Sequence, residues 1–324
     1  MDITLADFLT IDLPAMLVGT LAAVPCALLG NFLVLRRQAL IGDALSHVVL
    51  PGIVVGFMIS GSVGTVPMMA GALGAALVAV VLIELIRRLG RLETGAAMGV
   101  VFTVMFAAGV VMLERGVGSR VHLDAHHALY GAVELTYWRG PTDWASLLDP
   151  GVWAALPRSI AVLAAATTVI AASIALFYKE LKITTFDPGL ATSLGIRASW
   201  VNAGLILMVA VAAVAAFEAV GSILVIAMFI CPPATARMLT DRLSRQIALS
   251  ALVAALSGVF GYVFAAFVPL WLGGANSLTA AGMIAVVAGV FQLLAMLFAL
   301  RYGAVTRMLG QRRHRSGEMP PMVP

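Results

Sequence analysis

Asp43 and His47 stand four residues apart in Gly42-Asp43-Ala44-Leu45-Ser46-His47-Val48-Val49-Leu50-Pro51-Gly52, inside an otherwise apolar stretch of membrane length. On a helix of 3.6 residues per turn the two stack on one face, and a carboxylate oxygen beside an imidazole nitrogen is a pair that a divalent cation can bridge. Ionisable groups are costly against hydrocarbon, so the pair is expected to face protein or a water-filled path. Imidazole ligates only when neutral, so cation binding is expected to weaken as His47 protonates.

Other chemistry-bearing residues are more scattered. His122, Asp124, His126 and His127 share the long connection 114–154. Such a His/Asp group suits a first-row metal, while loop histidines serve equally as solvated polar residues, and the spacing fixes no coordination geometry. Glu218 lies near a span end just before Gly221. It either reaches water there or helps to line the outer mouth of a path. Cys26 and Cys231 both fall in apolar runs and make neither a disulfide framework nor a CxxC metal pair. Cys231-Pro232 is similar to the intramembrane dipeptide of heavy-metal P-type pumps, but no loop here is long enough for their phosphorylation domain. The 16 methionines are spread through the spans, which fits packing better than a copper path.

An ATP-binding P-loop needs a Gly-Lys pair at the end of its glycine-rich turn. The only lysines, Lys179 and Lys182, do not follow glycine. Any transport energy must then come from an ion gradient or from a separate ATPase chain, and no enzymatic activity is expected of this chain.

These residues must be positioned by membrane helices. Of 324 residues 61% are hydrophobic and 11% charged, far from the composition of a soluble domain. The apolar runs are helix-length and lack the alternation of an outer-membrane barrel. The expected fold is all-α, a polytopic transmembrane helical bundle of about eight or nine spans, near 12–35, 44–61, 66–86, 95–113, 155–178, 200–217, 219–236, 247–270 and 279–300. A break or re-entrant turn in 219–236, which ends at Cys231-Pro232-Pro233, would change the count by one. Sixteen of the twenty basic residues fall in alternate connections or the tail, and four (Arg115, Arg120, Arg139, Arg158) fall on the other side. The positive-inside rule then places the N-terminus outside and the C-terminus in the cytoplasm. Basic residues dispersed in this way describe topology and give no nucleic-acid surface. Residues 1–310 form one permease-type domain, and 311–324 are expected to be a disordered tail. Tyr137, Trp138, Trp144 and Trp153 are expected to anchor the chain at the headgroup level.

The connection 179–199 contains start and stop signals for a short helix: Asp187 as N-cap, Pro188 at the first helical position, Gly195 as the stop. Phe186, Leu190 and Leu194 would form an apolar stripe on it. The stripe either lies on the lipid surface or docks onto a cytoplasmic partner, and the flanking rather than face-forming basic residues favour the partner.

Three stretches together resemble the signature regions of the manganese/zinc/iron ABC permease family: Gly42 to Gly52, Phe186-Asp187-Pro188-Gly189-Leu190-Ala191, and Gly221-Ser222-Ile223-Leu224-Val225-Ile226 continuing to Pro233-Ala234-Thr235-Ala236-Arg237. The resemblance is collinear from about residue 10 to 300. It implies the multi-pass permease subunit of a bacterial inner-membrane metal importer, paired with a second permease subunit (identical or not), two cytoplasmic ATP-binding subunits and an external metal-binding protein. It implies no permanently bound cofactor, with Mn(II), or Zn(II) or Fe(II), as cargo. By the same resemblance Asp43 and His47 meet the cation, and Phe186, Asp187, Pro188, Leu190, Ala191, Leu194 and Gly195 form the helix that fits the ATPase. Val121-His122-Leu123-Asp124 with Leu129-Tyr130-Gly131 is similar to the longer external segment of manganese-type members. Ala132-Val133-Glu134 and Cys231-Pro232-Pro233 depart from the family pattern. The competing class is an ion-coupled secondary carrier with Asp43 as a proton relay.

Overall fold

A computed structural model describes residues 5–61, 65–112, 133–141, 143–271 and 278–299. Helical turns at 5–12 lead into α1 (Leu13–Leu35), followed by α2 (Leu40–Ser60), α3 (Thr65–Gly90) and α4 (Thr94–Met112). After the long connection come α5 (Arg158–Leu176), the short α6 (Tyr178–Phe186) and α7 (Pro188–Ser193), α8 (Ala198–Leu239), α9 (Leu243–Trp271) and α10 (Ala280–Phe298). Among the described residues, seven of these helices are long and apolar enough to cross a membrane: α1 with its leading turns, α3, α4, α5, α8, α9 and α10. α2 adds a further 21-residue helix whose only ionisable side chains are Asp43 and His47.

α1 and α8 form the centre. In each, 72% of the most apolar window is buried, against 17–33% in the other five, so the remaining helices pack around this pair and present their outer faces to lipid. Between membrane helices the driving force is close packing and hydrogen bonding, since lipid tails are as apolar as leucine. Accordingly the buried Asn31 of α1 donates from Nδ2 to Ser250 Oγ of α9 at 2.6 Å and to the Ala27 carbonyl at 2.8 Å.

Sequence sets two spans, 200–217 and 219–236, with a break or re-entrant turn in the second changing the count by one. The structure runs them as one element that departs from the helix at Gly221, inside the second range. α8 is helical from Ala198 to Leu239 with both prolines inside it, and the one residue off the helical track is Gly221 (φ 75°, ψ 174°). Straight, its 42 residues would span about 63 Å, twice the roughly 30 Å of a bilayer core. Contacts with α1 show instead that the chain reverses. Arg36 bonds Asn202, near the start of α8, and Gly30, six residues earlier on α1, abuts Pro233 near its end. Six helical residues cover about 9 Å whereas residues 202 to 233 would be about 46 Å apart on a straight helix, so the two arms of α8 run antiparallel about Gly221. With α2 added and the arms counted separately, the described residues make about nine helical passes, in line with the eight or nine expected from sequence.

Proline within a membrane helix leaves the carbonyl four residues earlier without its donor. Specific partners meet two of these. Pro25 frees Leu21, whose carbonyl accepts from Thr167 Oγ1 at 3.1 Å. Pro269 frees Ala265, whose carbonyl accepts from the Leu278 N–H at 3.1 Å. Pro233 frees Phe229, and that carbonyl lies against Gly30, where any side chain on α1 would collide with it.

The described part of the long connection is tied to the bundle. Glu134 Oε1 accepts from the Ala280 N–H at 2.5 Å, a carboxylate at the first turn of α10, where unpaired amides favour negative charge. Tyr137, Trp144 and Trp153 are exposed, in keeping with interfacial anchors. Trp138 is not. It is 1% exposed, its indole N–H donates to the Val152 carbonyl at 3.0 Å, and its ring meets Trp153 edge-on, so it is a core residue of this connection.

Candidate functional site

α2 carries Asp43 and His47 one helical turn apart on an unbroken backbone, and the directions of their side chains lie outside what is described. Their neighbours define the surroundings. Ile41, Ala44 and Val48 are buried, the last beside Ala79 of α3 and Val101 of α4.

Glycines set how closely α2 is held. A Cβ on Gly42 would sit 2.6 Å from the ring of Phe229, which is itself fully buried on the second arm of α8. Ten residues later, Gly52 meets the backbone of Gly71 and Ala72 on α3. Pro51 lies against Gly109 of α4. The first and third signature stretches therefore touch, at Gly42 and Phe229, one residue from Asp43. Pro51 also removes the N–H that would otherwise bond the His47 carbonyl.

Two cavities flank this region. An apolar crevice of about 680 Å³ lies between α2, α3 and α4 from Pro51 to the far end. At the arginine-rich end a cavity of about 640 Å³ is lined by Arg36, Arg37 and Arg87, with Glu84 the one carboxylate among its described residues. Three guanidiniums against one acid make the second cavity electrostatically unsuited to a divalent cation.

The other expected metal residues are not gathered with Asp43. His122, Asp124 and His126 lie outside the described residues. Glu218 is exposed, one turn before the reversal at Gly221, with Arg158 of α5 the charge that acts on it most. Among the described residues no three His, Cys, Asp or Glu side chains come together as a metal cluster.

The connecting segment folds as its residues predict. Asp187 Oδ1 accepts from the Leu190 N–H at 2.9 Å, Pro188 opens α7, and Gly195 (φ 80°) ends it with Ile196 N–H donating to the Ala191 carbonyl at 2.9 Å. Ala191 is buried, whereas Phe186 at the end of α6, Leu190 in α7 and Leu194 at its C-terminal cap are 56%, 49% and 60% exposed, so the expected single stripe is split across the break at Asp187 into apolar side chains that the described residues leave uncovered. Arg36 was legible in sequence only as a topology charge. In the structure it ties this segment to the bundle, donating to Thr185 Oγ1 and Thr184 Oγ1 at 3.0 Å each and to Asn202 Oδ1 at 2.7 Å.

Fold and site together define a multi-pass helical membrane protein with an acid and a histidine in one membrane helix. Residues 9–136 and 152–299 match the ABC 3 transport family, and the chain belongs to that family. It is 39% identical over 302 residues to the manganese transport system membrane protein MntD of Bacillus subtilis, covering 92% of this chain and 97% of that one. It is also 39% identical over 296 residues to the zinc transport system membrane protein TroD of Treponema pallidum, covering 91% and 76%. In fold it is similar to a chain of PsaBC from Streptococcus pneumoniae solved with a Fab, with a TM-score of 0.71 at 23% identity over 93% of this chain and 94% of that one.

Proposed function

We propose that this chain is the membrane-spanning permease subunit of an ATP-driven importer of a divalent transition metal, with manganese favoured over zinc or iron. The observation that carries the reading is the Asp43–His47 turn on α2, held one residue away by the Gly42–Phe229 contact, in a family member 39% identical to a manganese transport protein along nearly its whole length. A dehydrated cation needs replacement ligands at membrane depth. Asp43 supplies a carboxylate oxygen, His47 a ring nitrogen and, through Pro51, a main-chain oxygen, a mixed hard and intermediate donor set that suits Mn(II) and admits Zn(II) or Fe(II).

In this reading the arginine-rich end is cytoplasmic, with the N-terminus outside and the C-terminus inside. The exposed apolar side chains of Phe186, Leu190 and Leu194, in and beside α7, are the dock for a cytoplasmic ATPase subunit, since a self-contained carrier has no need of exposed apolar side chains in a polar connection. A second permease subunit completes the path, and an external metal-binding protein delivers the cation. ATP-driven closure of the ATPase pair moves α7, and Arg36 with Asn202 passes the movement to α1 and α8, switching the open side.

The test is metal uptake by Asp43→Ala and His47→Ala, with membrane expression confirmed. Loss of uptake with normal expression is expected from each. Normal uptake from both removes the site.

A further inference from the structure

The cavity at the arginine-rich end has walls of two kinds. Val80, Ile83 and Ile206, all within membrane-crossing stretches, form an apolar side, and Arg36, Arg37 and Arg87 form a cationic side. Glu84 pairs with Arg87 at 2.8 Å, and among the described lining residues three guanidiniums stand against that one carboxylate. Among the described residues Arg36 is bonded only to neutral oxygens, those of Thr184, Thr185 and Asn202. Burial pulls its pKa below the ordinary value, the direction expected of a desolvated cation lacking a counter-charge.

Arg37 adds an independent observation. α1 ends in a Schellman turn, with Gln38 N–H donating to the Leu33 carbonyl at 2.8 Å and Arg37 N–H to the Val34 carbonyl at 3.1 Å. The residue after the cap in this turn takes a left-handed conformation and is usually glycine. Here it is Arg37 at φ 57°, a side chain kept where glycine fits better. Next to it Gln38, in the same lining, has a buried Oε1 with no donor among the described residues.

We propose that this cavity is a socket for an anionic phospholipid. Its phosphate sits among Arg36, Arg37 and Arg87, and an acyl chain follows Val80, Ile83 and Ile206 into the bilayer. Basic pockets between membrane helices recognise lipid headgroups in this way. The apolar wall selects lipid over free phosphate. It also selects lipid over a protein carboxylate, because that wall belongs to membrane-crossing helices.

The experiment uses the full-length chain in nanodiscs of phosphatidylcholine with or without phosphatidylglycerol, with bound lipid counted by native mass spectrometry after mild delipidation and the thermal midpoint recorded. Wild type retains phosphatidylglycerol selectively and melts higher in its presence. The double variant Arg37→Gly/Arg87→Gln loses about thirtyfold in phosphatidylglycerol retention. The single variant Arg37→Gly melts in pure phosphatidylcholine no lower than wild type, because glycine suits the turn, which separates lost binding from lost folding. Unchanged retention in the double variant overturns the proposal. So does displacement of the lipid by excess inorganic phosphate with the midpoint preserved, or loss of ATPase-subunit binding in the double variant while lipid retention is untouched.

Discussion

Arg36 Nη1 donates to Asn202 Oδ1 at 2.7 Å at the level where, two turns back on α1, Gly30 rests against Pro233. One short stretch of α1 thus touches both the beginning and the end of α8, and only a reversal at Gly221 reconciles the two contacts. Gly221 occupies a backbone region open essentially to glycine, where a side chain costs about 1–3 kcal/mol. Gly221→Ala is expected to lower the thermal midpoint of the detergent-solubilised protein by that amount of stability. A midpoint equal to wild type would mean that the reversal tolerates an ordinary backbone.

Asn31 and Ser250 join α1 to α9 by a buried 2.6 Å hydrogen bond. Interhelical bonds of this kind in membranes average about 0.6 kcal/mol by double-mutant cycle. The cycle of Asn31→Ala, Ser250→Ala and the double variant, read by denaturant unfolding in detergent, is expected to return a coupling of that size. A coupling of zero would assign Asn31 to its own helix alone, through the Ala27 carbonyl.

Pro51→Ala restores a donor to the His47 carbonyl while keeping the apolar character of position 51 against Gly109. If that carbonyl is one of the cation's ligands, capping it with an N–H is expected to weaken metal uptake about tenfold, the low end for disturbed ligand support. Uptake measured by elemental mass spectrometry at wild-type expression and unchanged in rate would confine the ligands to side chains.

The exposed Leu190 of α7 separates docking from folding. Leu190 is half exposed, so Leu190→Asp is expected to leave the thermal midpoint of the isolated chain unchanged while weakening binding of the ATPase subunit about tenfold, the worth of one partly buried leucine. Asp187→Ala removes the N-cap bond to the Leu190 amide, and about 1 kcal/mol of local stability should go with it. Hydrogen exchange at that amide is the readout, and an unaltered rate would mean that α7 is held by Ala191 packing instead.

What sequence could show followed from how local each signal is. The Asp187-Pro188 start and the Gly195 stop of α7 are written in adjacent residues, and the structure reproduces both. Span positions follow from apolar length, and they agree within a few residues. The break in α8 falls a few residues from the expected division between 200–217 and 219–236, though its cause, a single backbone angle at Gly221, has no local cue beyond the glycine itself. Pro232-Pro233 ends no helix, because Gly30 on a distant segment makes room for the freed Phe229 carbonyl. Arg36 gave only a charge to count, since its acceptors lie more than 140 residues away. Trp138 read as an interfacial ring for the same reason: the Val152 carbonyl that receives its N–H is beyond any local pattern.

At Gly52 and Gly71 the helices α2 and α3 meet main chain to main chain, and at Gly42 the ring of Phe229 rests directly on the α2 backbone. No long rotamer stands between these surfaces to absorb a displacement, so the junction has little slack. The turn bearing Asp43 and His47 is therefore geared to its neighbours, and a shift of α3 or of the second arm of α8 is handed to it with no side chain to take up the difference.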